Sequence, residues 1–220
     1  MKVLVIGDTH EPFTKEGYWE WCYDIGQKHN VDFEVQIGDL TDQYVFSHFS
    51  KHPQAMNLSD EIGNLKNRLT LVQEMFPRLF ITKGNHDERL WDRALEVGIP
   101  SDLLITFQEF IGVDWRVVNE LEIDDVLYKH KPSRGGKTPS ILTAKEEFMS
   151  TVNGHLHTVG ALNFHTTRKG SVFGMTVGCG IDTTSYAMEY AKEKVQHYFH
   201  GCGVVEDGVP YLYEWKGGMK

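Results

Sequence analysis

The chain has 220 residues, of which 40% are hydrophobic and 24% charged, with a formal net charge of −9. That length suits one domain, residues 1–220, with a substantial core. The acidic balance excludes a broad nucleic-acid surface, which needs clustered Lys and Arg, and no run of about 18 apolar residues is present to span a membrane. Cys22, Cys179 and Cys202 show no C-x-x-C spacing and read as reduced thiols. The apolar run at the N-terminus is too short for a signal peptide, so a cytoplasmic protein is expected.

In chain order, "KVLVIGD" and "DFEVQIGD" read as strands that run into Gly-Asp. Such short, continuous apolar runs suit strands buried on both faces. Between them, residues 14–29 carry Trp19, Trp21 and Tyr23 on what reads as a helix face packed against a sheet. Ser59, followed by Asp60 and Glu61, predicts the cap of a helix running to Phe76. "RLFITKG" is the third strand. "SDLLITFQEFIG" predicts a helix over 101–111 stopped by Gly112. "VLYKH" is a strand, Thr138-Pro139 opens a helix to about residue 150, and "TVNGH" is a further strand. From residue 160 the pattern turns to hairpins: "GALNFHTT", "GSVFGMTVG", "GCGVVEDG" and "VPYLYEW", with Glu206-Asp207-Gly208 closing one of them. A β-α-β half followed by hairpins predicts two packed sheets flanked by helices.

Five of these strands end in polar residues: Gly7-Asp8-Thr9-His10, Gly38-Asp39-Leu40-Thr41-Asp42, Gly84-Asn85-His86-Asp87, His130, and Gly154-His155-Leu156-His157. Ligands of open α/β sheets gather at the carboxyl ends of strands, so the five groups are expected to converge. Carboxylate, imidazole and amide without thiolate suit Mn, Fe, Zn or Ni better than a structural zinc. The set is too large for one ion and suits two that share a carboxylate. Paired ions roughly 3.5–4 Å apart clamp the attacking and leaving oxygens of an in-line displacement. Their charge outweighs that of Asp8 and Asp39, and the excess attracts a phosphate.

In this order, D-x-H, G-D-x-x-D, G-N-H-D, a lone His and G-H-x-H resemble the calcineurin-like metallophosphoesterase superfamily, over residues 8–157. The short length and the twice-used Gly-Cys-Gly are similar to small members from phage and bacterial genomes. The resemblance implies a four-layer α/β/β/α sandwich of two mixed β-sheets flanked by helices, and a hydrolase of phosphoester bonds. It implies that Asp8, His10 and His157 hold one divalent ion and Asn85, His130 and His155 a second, with Asp39 bridging. Mn²⁺ is the foremost choice, with Fe, Zn or Ni accepted by the same ligands. His86 would act on the scissile phosphate, with Asp87 orienting its imidazole. The protein-phosphatase branch of the family has an arginine after G-D-x-x-D. Here Gln43 stands in that place, which favours a phosphodiester or small nucleotide-like substrate over a monoester or phosphoprotein. Arg89, Lys131, Arg134 and Lys137 are candidates to hold substrate phosphate.

Two rival readings are weaker. Gly136-Lys137-Thr138 has the look of a nucleotide-binding P-loop, but that pattern needs glycine where Lys131 stands. A binding protein without chemistry is opposed by the presence of every ligand and of His86. His48 and His52, with Tyr44, Phe46 and Phe49, mark residues 42–57 as a segment at the rim of the site, its aromatics either packing, the favoured reading, or stacking on substrate. His197 and His200 read as surface or core. The hairpin ending in "YLYEW" is a candidate interface between copies.

Overall fold

In β1 (Lys2–Ile6) Val3 and Val5 face one way and Leu4 and Ile6 the other, and all four are buried. A strand with two apolar faces must lie between two layers, and it does. The computed structural model describes residues 1–168, 170–191 and 197–217. β1 sits in a six-stranded sheet beside β2 (Phe33–Gln36), β3 (Phe80–Thr82) and β4 (Arg116–Val118), all parallel. On its other side lie two antiparallel strands from the end of the chain, which we label β10 (Gly201–Glu206) and β11 (Val209–Glu214). The second sheet has the order β5 (Glu120–Ile123), β6 (Val126–Lys129), β7 (Ser150–Asn153), β9 (Gly170–Val177), β8 (Gly160–Thr167). In it β6, β7 and β9 are parallel and the two edge strands antiparallel.

Val3, Val5, Val35 and Ile37 meet Tyr128, Val152, Phe173 and Met175 between the sheets. On the outer face of the first sheet, Leu4, Ile6, Ile81 and Val204 pack under α1 (Tyr18–His29), α2 (Leu58–Met75) and α4 (Phe107–Ile111). α3 (Arg89–Glu96) lies beside them, and α5 (Pro139–Glu147) covers the second sheet. There Ser140 Oγ meets Thr176 Oγ1 at 2.6 Å, and Thr151 Oγ1 donates to Ser140 O at 2.9 Å. The layers run α/β/β/α, as the resemblance implied. Each fully buried Val, Leu or Ile contributes about 1.5–3 kcal/mol by leaving water.

Several local expectations are corrected. α1 begins at Tyr18, not at 14, because Gly17 takes a left-handed φ of 83° and Thr14 pairs with Ile181 instead. α2 is capped by Asn57, whose side chain accepts from Asp60 N–H at 3.0 Å, so Ser59 lies inside the first turn. The 101–111 helix is broken: a short 3-10 turn at Ser101–Leu103 precedes a new start at Thr106, where Thr106 and Glu109 form a reciprocal capping box. Gly112 does stop it. α5 ends at Glu147, with Phe148 left-handed, and Thr138 makes no capping hydrogen bond. The Asp207-Gly208 turn is as expected, both residues having positive φ. β4, β5 and α3 are elements beyond those expected from the sequence.

α5 approaches β9 so closely at Gly174 that an added methyl would overlap the backbone of Ser140 and Ile141. Gly174→Ala is expected to lose about 1–3 kcal/mol in urea unfolding, as overpacked cores do. An unchanged midpoint would show that this helix does not rest on the sheet.

Candidate metal centre

The polar strand ends meet where the carboxyl ends of both sheets adjoin. Asp8, His10, Asp39 and His157 each bring a ligand atom to within 4.8 Å of the others, and so do Asp39, His130 and His155. Asp39 therefore belongs to both groups. His10 also enters a third, with Asp42 and His86. The backbone is bent to achieve this: φ is 52° at His10, 48° at Asp39 and 68° at His155. Such conformations cost of order 1–3 kcal/mol each in non-glycine residues and persist only where surrounding contacts hold them. Two glycines make room. A methyl on Gly84 would overlap the Asp39 carboxylate, and one on Gly154 would overlap that of Asp8.

Hydrogen bonds fix the rings. His130 Nδ1 donates to Ile37 O at 3.0 Å, which leaves Nε2 as the end that faces the cluster. His10 Nδ1 meets Asp42 Oδ1 at 2.7 Å, so its Nε2 is likewise the free end, 3.2 Å from Nε2 of His157. Asp39 Oδ1 accepts from His86 N–H at 2.7 Å, and Asp8 Oδ2 accepts from His155 N–H at 2.8 Å. Burial lowers the pKa of His10 and of His157 to about 4, so both rings are neutral near pH 7 and able to ligate. Burial, reinforced by Asp39, pushes Asp8 up to about 6. Burial opposes the charge on His130, yet the Asp39 and Asp8 carboxylates outweigh it and raise that pKa to about 10. Against burial, His130 and His86 hold Asp39 well below the usual carboxylate range.

The arrangement fits cations. Asp8 Oδ1 and His130 Nε2 are buried without a hydrogen-bond partner, although Asp39 Oδ2 lies 3.3 Å from the latter. Buried polar atoms are normally paired, and two orphans aimed into a cluster of carboxylates and imidazoles are what a divalent ion would satisfy. The shared Asp39 suits two such ions.

Asn85 is exposed and stands between Gly84 and His86, adjoining the shared carboxylate. His86 is brought in as expected, but Asp87 does not orient it. Asp87 turns inward and accepts from the N–H groups of Gly84 (2.9 Å), Thr41 (2.8 Å) and Leu40 (3.3 Å) and from Thr41 Oγ1 (2.9 Å), fastening two strand ends together. The residue that holds the His86 ring is Asp42, whose Oδ1 lies 3.0 Å from Nδ1 and also serves His10. Asp42 closes G-D-x-x-D, so the motif held the signal, but spacing alone does not say which acid turns toward the ring. Gln43 occupies the place of the missing arginine and braces the loop, donating to Asp87 O at 2.8 Å and accepting from Leu90 N–H at 2.8 Å.

Of the four basic candidates, Arg89 reaches the cluster. Its NH1 donates to Asp42 O at 2.7 Å, and NH2 lies 2.9 Å from His86 Nε2. Lys131 is exposed next to His130 and near enough to His155 to bear on its charge. Arg134 is turned to Glu146, and Lys137 is exposed on the same outer loop. His48 and His52 are not paired on a helix: His48 faces Glu96, while His52 stacks on Tyr186. Of the aromatics in this segment Tyr44 packs as expected, but Phe49 does not and is exposed. His200 Nε2 donates to Ile181 O at 2.9 Å, and His197 is exposed.

The raised pKa of His130 makes stability depend on pH. In the ion-free protein its charge contributes stability fully below 6.5 and loses it as pH climbs through about 10. A cation taken up by Nε2 at pH 8 must displace that proton. Calorimetry of Mn²⁺ binding in two buffers of different ionisation enthalpy should therefore report roughly one proton released, with affinity rising with pH. A binding enthalpy independent of buffer would contradict this.

Comparison with known proteins agrees with the geometry at the level of family. A model of calcineurin-like phosphoesterases matches residues 1–169. No curated protein matches the sequence. Similar solved structures include a Vps29 single mutant from Entamoeba histolytica (12% identity, 98% of this chain and 100% of that one, TM-score 0.45). Others are the phosphoesterase YfcE from E. coli (12%, 96% and 91%, 0.44) and Vps29 from Cryptosporidium parvum (11%, 96% and 95%, 0.45). With D-x-H, G-D-x-x-D, G-N-H-D and G-H-x-H all inside the matched region, the chain belongs to the calcineurin-like phosphoesterase family.

Proposed function

We propose that the protein is a dimetal-dependent hydrolase of phosphoester bonds, acting on a phosphodiester or small nucleotide-like substrate. The observation that carries this reading is the pair of ligand groups sharing Asp39, with His86 alongside. Asp8, His10 and His157 would hold one divalent ion and Asn85, His130 and His155 the other, with Asp39 between them and Mn²⁺ as the first choice. When bound, such ions supply the Lewis acidity that activates water and neutralises charge at phosphorus. His86 would serve the leaving oxygen. Asp42 holds its Nδ1, which leaves Nε2 as the working end. Burial opposes a charge on this ring, but Asp39 and Asp42 outweigh it and hold the pKa above its ordinary value. A guanidinium only donates, so while Arg89 covers Nε2 the ring there is an acceptor. Once Arg89 turns to a phosphate oxygen, Nε2 is free to carry a proton.

A second reading, a phosphomonoesterase or protein phosphatase, is favoured by that same arginine. A cation at this position grips a dianion, the task the family's other branch gives to an arginine at the Gln43 position. The pairing of β1 with β10, which ties the start of the chain to its end, supports a single domain over 1–220. Three buried, unpaired thiols support a reducing, cytoplasmic setting. Among the described residues no helix is long and apolar enough to cross a membrane.

After chelation and restoration of Mn²⁺, His86→Ala should lower diester turnover at least about 100-fold with the Mn²⁺ content unchanged. Arg89→Ala should cost monoester kcat/KM more than diester kcat/KM. Turnover that survives chelation, or that ignores His86, would overturn the reading.

A further inference from the structure

Next to Asp42 the chain leaves the metal centre through a loop, residues 43–57, that encloses a cavity of about 410 Å³ walled by Tyr44, His52, Tyr186 and Phe49. None of these residues belongs to the ligand set. The walls are held by the backbone rather than left loose. Tyr44 is buried and its hydroxyl accepts from His52 N–H at 2.9 Å, while Tyr186 OH accepts from Met56 N–H at 3.1 Å. The His52 and Tyr186 rings lie nearly parallel, 12° apart at 5.9 Å, and Tyr44 meets Tyr186 edge-on at 5.1 Å. Phe49 stands at the mouth with 53% of its surface in water, an apolar ring at the lip of an open pocket.

Polar groups line the same cavity. The Lys51 ammonium, held by the carbonyls of Tyr44 (2.9 Å) and Ser47 (2.6 Å), lies 5.1 Å above the Tyr44 ring. Glu189 meets His52 at 3.4 Å. On the side facing the metal centre, the loop carbonyls of Asp42 and Phe46 are gripped by Arg89 (2.7 Å) and by Arg93 (2.8 Å) from α3. Lys51 is close enough to both arginines to feel their charge. Of these three cations Lys51 lines the pocket, while Arg89 and Arg93 brace the loop that forms its wall.

We infer that this pocket receives a planar, hydrogen-bonding aromatic ring carried by the phosphoester whose phosphate sits at the metal centre, a nucleobase before a plain aryl group. Preformed aromatic walls with a few convergent polar groups are the usual make-up of a small-molecule site of this volume. Rings of this kind stack on a base, and Lys51 and Glu189 at the edges give heteroatoms partners that a phenyl ring cannot use. The inference rests on the proposed phosphoester chemistry for the position of the phosphate, but binding tests it without turnover.

Calorimetry on the Mn²⁺-loaded protein would compare three phosphonates whose C–P bond resists hydrolysis: methylphosphonate, benzylphosphonate and the methylene-phosphonate analogue of AMP. The AMP analogue should bind at least tenfold more tightly than methylphosphonate, with benzylphosphonate between them. Phe49→Ser combined with His52→Ala should erase the difference while leaving methylphosphonate affinity, which also reports on folding, unchanged. Equal affinity for all three, or a preference that survives both substitutions, overturns the subsite. Benzylphosphonate binding as tightly as the AMP analogue overturns the nucleobase and leaves an aryl pocket. If the ring preference holds but no phosphoester is turned over, the hydrolase reading fails and the pocket stands.

Discussion

Four carboxylates, those of Asp8, Asp39, Asp42 and Asp87, are buried side by side at the strand ends, each 1% exposed or less. Stripping an ionised carboxylate of water costs several kcal/mol even after relaxation, and neighbours of like charge add to it. The rest of the site follows from how that cost is offset. Asp87 is satisfied by backbone N–H groups and becomes a fastener. Asp42 is satisfied by two imidazoles and orients both. Asp39 is offset by His130 and His86, whereas Asp8 accepts one N–H from His155 and keeps a buried oxygen without a hydrogen-bond partner, a deficit that a divalent cation would remove.

The fold supplies the means of bringing these groups together. Parallel strands of two facing sheets end at one edge, so residues far apart in the chain arrive with their backbones already fixed by ladder hydrogen bonds. Left-handed turns at His10, Asp39 and His155 then aim the ligands inward, and the small volume of Gly84 and Gly154 lets neighbouring strand ends close on the carboxylates. The strain at the turns is held by the hydrogen bonds of Asp87, Gln43 and the backbone of Thr9, His10 and Glu11 to Asp39 and Leu40. Rigidity here favours metal chemistry, since ligands held in place need little rearrangement when an ion enters.

Much of this was legible in the sequence because strands that end in Gly-Asp or Gly-His announce both the turn and the ligand. The strands that carry those ends, the layer order and the residues that converge could be read from apolar runs and motif order. What could not be read is orientation. Asp42 and Asp87 each lie within three residues of a ligand, and only the folded backbone decides which one meets His86 and which one turns to the N–H groups. The short elements were missed for a similar reason. β4 has three residues, β5 is joined to β6 by a left-handed Asp124-Asp125 turn without the usual glycine, and α3 shows no cap. α3 was the costly omission, because Arg89 and Arg93 act from it on the loop beside the metal centre.

The most direct test of a centre organised around Asp39 is anomalous diffraction at the manganese edge from crystals grown with Mn²⁺. Two peaks are predicted roughly 3.5–4 Å apart, both in contact with the Asp39 carboxylate, one beside His10 and His157 and the other beside His130 and His155. A single peak, or two that do not share Asp39, would contradict a dinuclear centre and with it the proposed chemistry.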